Sequence, residues 1–560
     1  TGSVGGQGAG PYWRSLLSNL GRVGHEDEWI SVADVPRAAY ASHPWSLSGG
    51  GAGDLLAVLD GDRERTLAKL TGDVGFMAVT REDDAYIWGE STLRRYRIDP
   101  ALHGRCVPGS AVRDWGFIGT DSILCTYDAE GRAAVDHATL QALWPLKQHL
   151  LIRRALSGTQ TEQGLEWWEY SQLNKRRYSS THLLVFAEVS SHNHFSVSDF
   201  GQITLRTAPT IRIGEEAKLS DYRGLAAVLN SSTLCFWLKQ KCKAKGGAAD
   251  HLWSRTFQFN ASNVLEAPLP ESLPRNHGEI LDELARSASE ATPKRFLGVG
   301  SDLQGDLADG RAVWSRRRSR MIAAQEELDW HVYSLYQLID DDLTHGQAPP
   351  MLALGERAFE IALARKIAAG DEESDWFKRH GSTPITQIPS HWPEDYRQLV
   401  QRRLDAIQSN KFIRLLEKPE YKRRWATESW EKQVELALRG WLLDRLEDRR
   451  FWFDDVGRPQ VRSVAQLADE VSRDADLTSV LELWSGRKDQ SVTDALSALL
   501  DTETVPFLAA HRLKDSGLRK REAWEHTWDL QRRDDAGEKV GGIPVPPKYT
   551  SADFRKASWW

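Results

Sequence analysis

The sequence predicts an α+β chain, a β-rich mixed region followed by a mainly α-helical one. Three observations predict it. Short runs that alternate apolar and polar residues, as half-buried strands do, crowd the stretch up to Ile213. A Pro-Leu-Pro at 268–270 closes that pattern. Beyond it, apolar residues recur at helical spacing, punctuated by Pro/Gly clusters at 268–274, 345–350, 381–393 and 541–547.

In chain order, the Gly-rich run Thr1–Gly10 predicts a flexible lead-in and Pro11–Leu20 a helix. Apolar periodicity predicts helices over Asp54–Leu59 and around Thr66–Leu70. Short β segments are expected at Gly75–Val79, Ala85–Trp88, Phe117–Ile118 and Ile123–Tyr127. Leu140–Leu156 reads as one helix with Leu143, Leu146, Leu150 and Leu151 on a single face. Strands are expected at His182–Val189, Gln202–Thr207 and Pro209–Ile213. Tyr222–Lys239 then reads as an amphipathic helix carrying Leu225, Val228, Leu229, Leu234 and Trp237, with a polar interruption at Asn230–Thr233. Later helices are marked by Leu328, Val332, Leu335 and Leu338, by Phe359, Ile361, Leu363 and Ile367, and by Val434, Leu438, Trp441 and Leu442. No repeat of fixed period is present. The expected division is a flexible lead-in or truncated junction at 1–30, a β-rich domain at 31–275, a helical linker region at 276–370, and a helical, Trp-rich region at 371–560.

The 560 residues are enough for two to four domains with sizeable cores. Apolar content of 41% and charged content of 27% are those of an ordinary globular protein. No apolar run approaches the ~20 residues needed to span a bilayer, which argues against a membrane partner, and no signal-peptide pattern opens the chain. Four cysteines without a CxxC pair predict a reducing, cytoplasmic setting. The start at Thr1 within a Gly-rich run and the end at Trp560 within an aromatic pair suggest a fragment or truncated product. Residues 141–260 carry 15 Lys/Arg against 9 Asp/Glu, so this segment is +6 in a chain of net charge −7. A basic segment in an acidic protein suits a polyanion, because neutralised phosphates release counterions. On charge alone, a solvated basic face suits it equally.

Several clusters are candidates for chemistry. Gly49–Gly53 could pass for a cofactor loop, but Ser42–Ser46 before it is no buried strand, so a flexible turn is expected. Asp199 with Glu216 and Lys218 imitates a metal-dependent nuclease set. The Gly214–Glu216 connection breaks the strand geometry such a set needs, and a solvated loop is expected. His192 and His194 have strand-like spacing for metal ligation but no completing carboxylate or Cys, so a turn with polar contacts is expected and no metal. Lys239, Lys241, Lys243 and Lys245, spaced by two before Gly246-Gly247, suit phosphate contact with little base reading. Lys175, Arg176 and Arg177, just after Trp167, Trp168 and Tyr170, interleave base and aromatic as nucleic-acid surfaces do.

Larger patterns go further. LRTAPTIRI (205–213), LNSSTLCFWLKQ (229–240), AEVSSHNHF (187–195) and NVLEAPLP (263–270) together resemble the C-terminal half of the phage-growth-limitation adenine-specific DNA methyltransferases, the PglX proteins of BREX phage-defence systems. The resemblance extends to HPWSLSGGGAGDL (43–55), EELDWHVYSLYQL (326–338), RHGSTPITQIPSHWPEDY (379–396), KPEYKRRWATESWEKQ (418–433) and LQRRDDAGEKVGGIPVPPKYTSADF (530–554), and so covers nearly the whole chain. It implies a parent enzyme with an N-terminal methyltransferase domain that uses S-adenosylmethionine, a target-recognition domain, here 31–275, and a helical C-terminal region. It also implies double-stranded DNA as partner, together with the missing methyltransferase domain and other phage-defence proteins.

Adenine methylation by this class needs a Gly-rich cofactor loop after a strand and an Asn/Asp/Ser-Pro-Pro-aromatic tetrapeptide that holds the flipped base. The only Pro-Pro pairs, Pro349-Pro350 after Ala348 and Pro546-Pro547 after Val545, have the wrong neighbours. No catalytic residue is therefore assigned, and the cofactor site is expected outside this segment. The expected role is DNA target recognition, with Lys175, Arg176, Arg177, His192, Asn193, His194, Lys239, Lys241, Lys243 and Lys245 as contact candidates. The alternative is a non-catalytic module that docks other defence components through the helical region, which holds 13 of the 23 Trp beyond residue 300.

Overall fold

The computed structural model describes residues 10–555 except 26, 28, 36, 38–48, 50, 62–64, 156–157, 247–251, 298–301, 426, 488, 502 and 504–512. Helix makes up 50% and strand 11%, with the β-rich part first, so the α+β expectation holds. The run Leu183–Ala187 is apolar throughout because it is buried throughout, with no residue more than 2% exposed. Its first four residues lie in the strand His182–Phe186, inside a four-stranded antiparallel sheet with Asp73–Gly75, Thr210–Arg212 and Phe195–Asp199. Leu184 pairs with Val197 on one side and Ile211 on the other. A second four-stranded sheet joins Gln202–Thr204, His103–Val107, Ser122–Leu124 and Ile87–Trp88, with its first pair parallel.

Two expected helices divide, each at an identifiable residue. Leu140–Leu156 becomes His137–Leu143 and Lys147–Leu151, joined by a 3-10 turn over Trp144–Leu146 and followed by the short strand Arg154–Ala155. Pro145 has no N–H to continue the α ladder. Tyr222–Lys239 becomes Leu219–Leu229 and Ser232–Lys241. Here the polar interruption ends one helix and starts another: Ser231 Oγ caps the second by accepting from Leu234 N. The Asn230 amide leaves the helical path and pairs with both backbone groups of Phe195, at 2.8 and 3.0 Å. Ala85–Trp88 is helical at first, as the end of Asp83–Tyr86, and extended only at Ile87–Trp88.

Helices dominate after Pro270. Arg275–Glu290 packs on Leu219–Leu229 and on the 33-residue helix Leu303–Leu335, roughly 50 Å long at 1.5 Å per residue. Only the last third of that long helix is continuously buried, from Met321 to Tyr333 apart from Ala324 and His331. Trp430–Leu446, Val464–Val471, Ala475–Ser485 and Val492–Leu500 form a separate core around Leu442, Leu467, Leu481 and Leu496. The helix Asp515–Asp535 then returns to the β-rich region. Trp144 Nε1 and Lys147 Nζ donate to Asp535 at 2.6 and 2.7 Å, and Trp528 Nε1 donates to the Pro145 carbonyl at 3.0 Å. Among the described residues no helix is long and apolar enough to cross a membrane.

The crossing of Leu219–Leu229 and Arg275–Glu290 depends on a close backbone approach. A methyl group on Gly278 would lie 2.1 Å from the Arg223 carbonyl oxygen, whereas one on exposed Gly440 would meet nothing within 4 Å. Gly278→Ala is expected to destabilise the chain by about 1–3 kcal/mol through overpacking. Gly440→Ala, in a helix interior, is expected to stabilise it by about 0.5–1 kcal/mol. Urea unfolding of both variants checks the pair of signs.

Candidate nucleic-acid interface

A buried charge network joins the helical region to the β-rich region, and it determines which of the expected contact residues reach the surface. Its centre is Lys422, 1% exposed, whose Nζ donates to Asp329 Oδ2 at 2.9 Å and Glu417 Oε1 at 2.8 Å and lies 3.7 Å from Glu326. Burial opposes the ammonium charge, but Asp329, Glu417 and Glu326 together hold its pKa above the ordinary lysine value. Burial pushes the Glu417 carboxyl up to about 7 against the pull of Lys422. Asp329 also accepts from the Ser232 backbone N–H (2.9 Å) and hydroxyl (2.7 Å), which anchors the start of Ser232–Lys241. Two further enclosed pairs, Arg403–Glu327 and Arg357–Glu360, each at 2.8 Å, flank the centre.

The next residue along holds the histidine turn. Arg423 Nη2 donates to the Asn193 carbonyl (3.0 Å) and Asn230 Oδ1 (2.7 Å), and its Nη1 donates to His194 Nδ1 (2.9 Å). The Asp114 backbone N–H also donates to His194 Nδ1, at 3.3 Å, so that ring is neutral with its proton on Nε2. Burial, then Arg423 and Arg113, keep its pKa well below the ordinary value. Asp114 and Trp115 are the two central residues of the tight turn between Val112–Arg113 and Gly116–Phe117, with φ of 47° and 73°. Turns of this kind favour Asn-Gly, and a left-handed Trp is strained. Both residues are held from outside the turn. Trp115 Nε1 donates to Gln325 Oε1 at 2.8 Å, while Asp114 Oδ2 accepts from Thr427 N and Oγ1 at 2.8 and 2.7 Å.

The ten expected contact residues therefore separate. Lys175 and Arg176 are exposed on the short helix Lys175–Tyr178. Lys243 and Lys245 are exposed on or beside the strand Lys243–Ala244, which pairs with Phe257–Gln258. The other six are drawn inward, and the side chains of all but His192 already bond within the protein. Arg177 is buried, donating to Phe76 O and Asp73. Lys239 is 8% exposed, bonded to the Glu420 carbonyl and lying over Phe257 and Tyr421. Lys241 pairs with Asp60 at 3.0 Å. Asn193 donates to Leu229 O and Ser231 O. His192, Asn193 and His194 are no more than 3% exposed and form the expected turn rather than a strand. The lysine run is thus not one flexible cluster; Gly247 of its expected hinge lies outside the described residues.

Asp199 is engaged by Arg286, and Glu216 is exposed in the connection before Leu219–Leu229. Among the described residues no group of three His, Cys, Asp or Glu is placed to hold a metal. Of the expected cofactor-like loop, Gly51 has φ of 81° at the N-terminus of Ala52–Asp60, while 43–48 and Gly50 lie outside the described residues. Among the described Trp beyond residue 300 none is exposed, and Trp330, Trp376 and Trp452 are core. Sequence reasoning missed Arg113, Asp114, Arg423 and Arg424. The available signal was the basic triplet Lys422–Arg424 between Tyr421 and Trp425, the same base-and-aromatic pattern as at 175–177.

Replacing Lys422 by Met leaves three buried carboxylates without their cation. The expected loss is about 3–5 kcal/mol of unfolding free energy, the usual cost of removing one partner from a buried ionic set. Urea denaturation at neutral pH measures it, and a loss under about 1 kcal/mol would mean that the carboxylates carry no charge.

Residues 321–560 match a domain of unknown function, DUF7008, whose boundary falls where the long helix becomes buried. The match contains Asp329, Glu417, Lys422 and Arg423. The Type IIL restriction-modification enzyme MmeI, solved in complex with DNA, aligns with 50% of this chain and 34% of its own, at 15% identity and a TM-score of 0.31, too low to carry an argument. The adenine-specific methyltransferase PglX of Streptomyces coelicolor is 41% identical over 98% of this chain, which spans 47% of that relative's length. The resemblance read from the sequence is borne out: the chain is similar to adenine-specific methyltransferase PglX over almost its whole length.

Proposed function

We propose that this chain is the DNA target-recognition portion of an S-adenosylmethionine-dependent, adenine-specific DNA methyltransferase of a bacterial phage-defence system, acting in the cytoplasm. The observation that carries the reading is the 41% identity to PglX over 98% of the chain. The cofactor loop and the base-holding tetrapeptide are not written in residues 1–560, so the reading assigns methyl transfer to a partner domain and recognition to this segment. The surface charge is compatible with that division. Lys175, Arg176, Lys243 and Lys245 stand exposed in the basic segment, where ammonium and guanidinium groups make phosphate contacts that position a duplex without reading it. Among the described Trp beyond residue 300 none is exposed, so their number there suits core packing at least as well as docking.

Binding of duplex DNA by the full chain, followed by fluorescence anisotropy at several salt concentrations, tests the reading. Affinity is expected to fall steeply with salt, and no binding at low salt would overturn it. Changing Lys175, Arg176, Lys243 and Lys245 together to Gln is expected to weaken all sequences alike, flattening the log K against log salt slope by roughly 0.9 for each phosphate no longer neutralised. The chain alone is expected to transfer only background label from S-adenosylmethionine to DNA. Robust incorporation would place the catalytic devices within these residues.

A further inference from the structure

Beside the Lys422 network, where carboxylates outnumber cations, lies a second charged centre where cations outnumber carboxylates. Three segments converge there: the strained Arg113–Trp115 turn, the Ser190–His194 turn, and Arg423, Arg424 and Thr427 of the helical side. They bring together Arg113, Arg423, Arg424 and, from the end of Ser232–Lys241, Lys239. Two carboxylates act on them, Glu420 on Lys239 and Asp114 on the three arginines, and Asp114 Oδ2 is already taken by Thr427. Its other oxygen lies 3.7 Å from Arg423 and accepts no hydrogen bond.

Each of the remaining cations donates its hydrogen bonds to neutral acceptors. Arg113 Nη1 donates to the Gly109 and Val112 carbonyls, Arg424 Nη2 to the Ser191 hydroxyl, and Lys239 to the Glu420 carbonyl. Arg424 also lies over Trp253, at 5.7 Å. His192 is 1% exposed, and neither of its ring nitrogens has a hydrogen-bond partner. Burial, then Lys239 and Arg424, keep that imidazole neutral, so it has one N–H to offer and cannot add to the positive charge.

Natural proteins pair their buried charges and satisfy their buried polar groups, whereas here four cations face two carboxylates and the His192 ring has no partner. A tetrahedral anion would correct both faults at once. Guanidinium and ammonium groups supply charge-assisted donors to phosphate oxygens, and a neutral imidazole N–H supplies another. Arg113 and Arg424 are half-buried, whereas Lys239 and His192 are enclosed.

We infer that Arg113, Arg424, Lys239 and His192 form a seat for one phosphate group. The phosphate has two possible sources, the backbone of bound DNA or a free phosphate. Only the first rests on the function proposed above, and the two arms of the experiment separate them.

The first arm is thermal unfolding of the full chain in inorganic phosphate, with chloride keeping the ionic strength constant. A ligand of the native state raises Tm in proportion to the logarithm of its concentration above Kd. Wild type is expected to show that logarithmic rise, R424Q and R113Q to lose it, and K432Q, an exposed change far along the chain in the helix Trp430–Leu446, to keep it. Should R424Q fail to unfold cooperatively, R113Q and broadening of the phosphorus resonance by wild type still decide the matter. The second arm measures the salt dependence of duplex binding. If the seat takes a backbone phosphate, R424Q is expected to flatten the slope by roughly 0.9. A phosphate effect with an unchanged DNA slope, or with no DNA binding at all, supports the seat and assigns it a free phosphate; in the second case the proposed function fails and the seat stands. No phosphate-specific rise in wild type together with an unchanged slope in R424Q overturns the seat, while DNA binding by wild type would leave the proposed function standing.

Discussion

Lys422 is the point on which the two regions of this chain depend. It enters from the segment after Glu417 and meets Asp329 and Glu326 of the long helix, and Asp329 in turn holds the backbone at Ser232. One ammonium group thus fixes the position of a helix of the β-rich region against a helix of the other. Such a set adds little net stability compared with apolar packing of the same volume, because each charge must lose its water. Its effect is on specificity. A shift of one turn along the long helix would separate Lys422 from Asp329 and leave two charges buried and unpaired, a far larger penalty than any apolar contact could offset. Arg423, the next residue, has the same effect on the histidine turn through the Asn193 carbonyl, Asn230 and His194.

That arrangement explains why strain is tolerated nearby. Asp114 and Trp115 both occupy the left-handed region, which costs a non-glycine residue of order 1–3 kcal/mol. Each is held by a residue from the helical side, Thr427 for Asp114 and Gln325 for Trp115. Trp425, next to Arg424, is also left-handed, with φ of 58°, and its carbonyl accepts from Arg318. The strained positions therefore lie on both sides of one junction, each held by its own contact. Loosening the junction would release the turn and the histidine segment together.

What the sequence made legible and what it hid follow the same physics. Apolar periodicity found the helices at 11–19, 52–60, 358–369 and 430–446 and the buried strand at 182–186, since burial of one face leaves its mark on residue type. It joined Leu219–Leu229 to Ser232–Lys241 because both halves face one core, and the break at Asn230–Ser231 lies in polar bonds that periodicity does not register. It carried Leu140–Leu156 through Pro145 for the same reason. The interface was less legible. Lysines and arginines are usually at the surface, so Lys239, Arg177 and the Lys422–Arg424 triplet gave no sign of being inside. Nothing local distinguishes Lys239 from Lys243, four residues on. The difference arises where the helix ends at Lys241 and Lys243–Ala244 pairs with Phe257–Gln258, turning the later lysines outward.

The division of basic residues into inner and outer sets also changes how charge can act in this chain. The outer lysines and arginines are screened by salt and adaptable, suited to a polyanion that approaches in many registers. The inner ones are fixed by carbonyls and aromatic faces and are far less screened, so an anion reaching them would meet donors already oriented. Orientation of that kind is what converts attraction into a defined position. In this fold it is supplied by the junction rather than by the β-rich region alone, because Arg423, Arg424 and Thr427 come from the helical side and Arg113, His192 and Lys239 from the other. Whatever the β-rich region binds near that junction is therefore coupled to how the helical region is seated on it, and a change at Lys422 should be felt at Arg113 without any contact between the two.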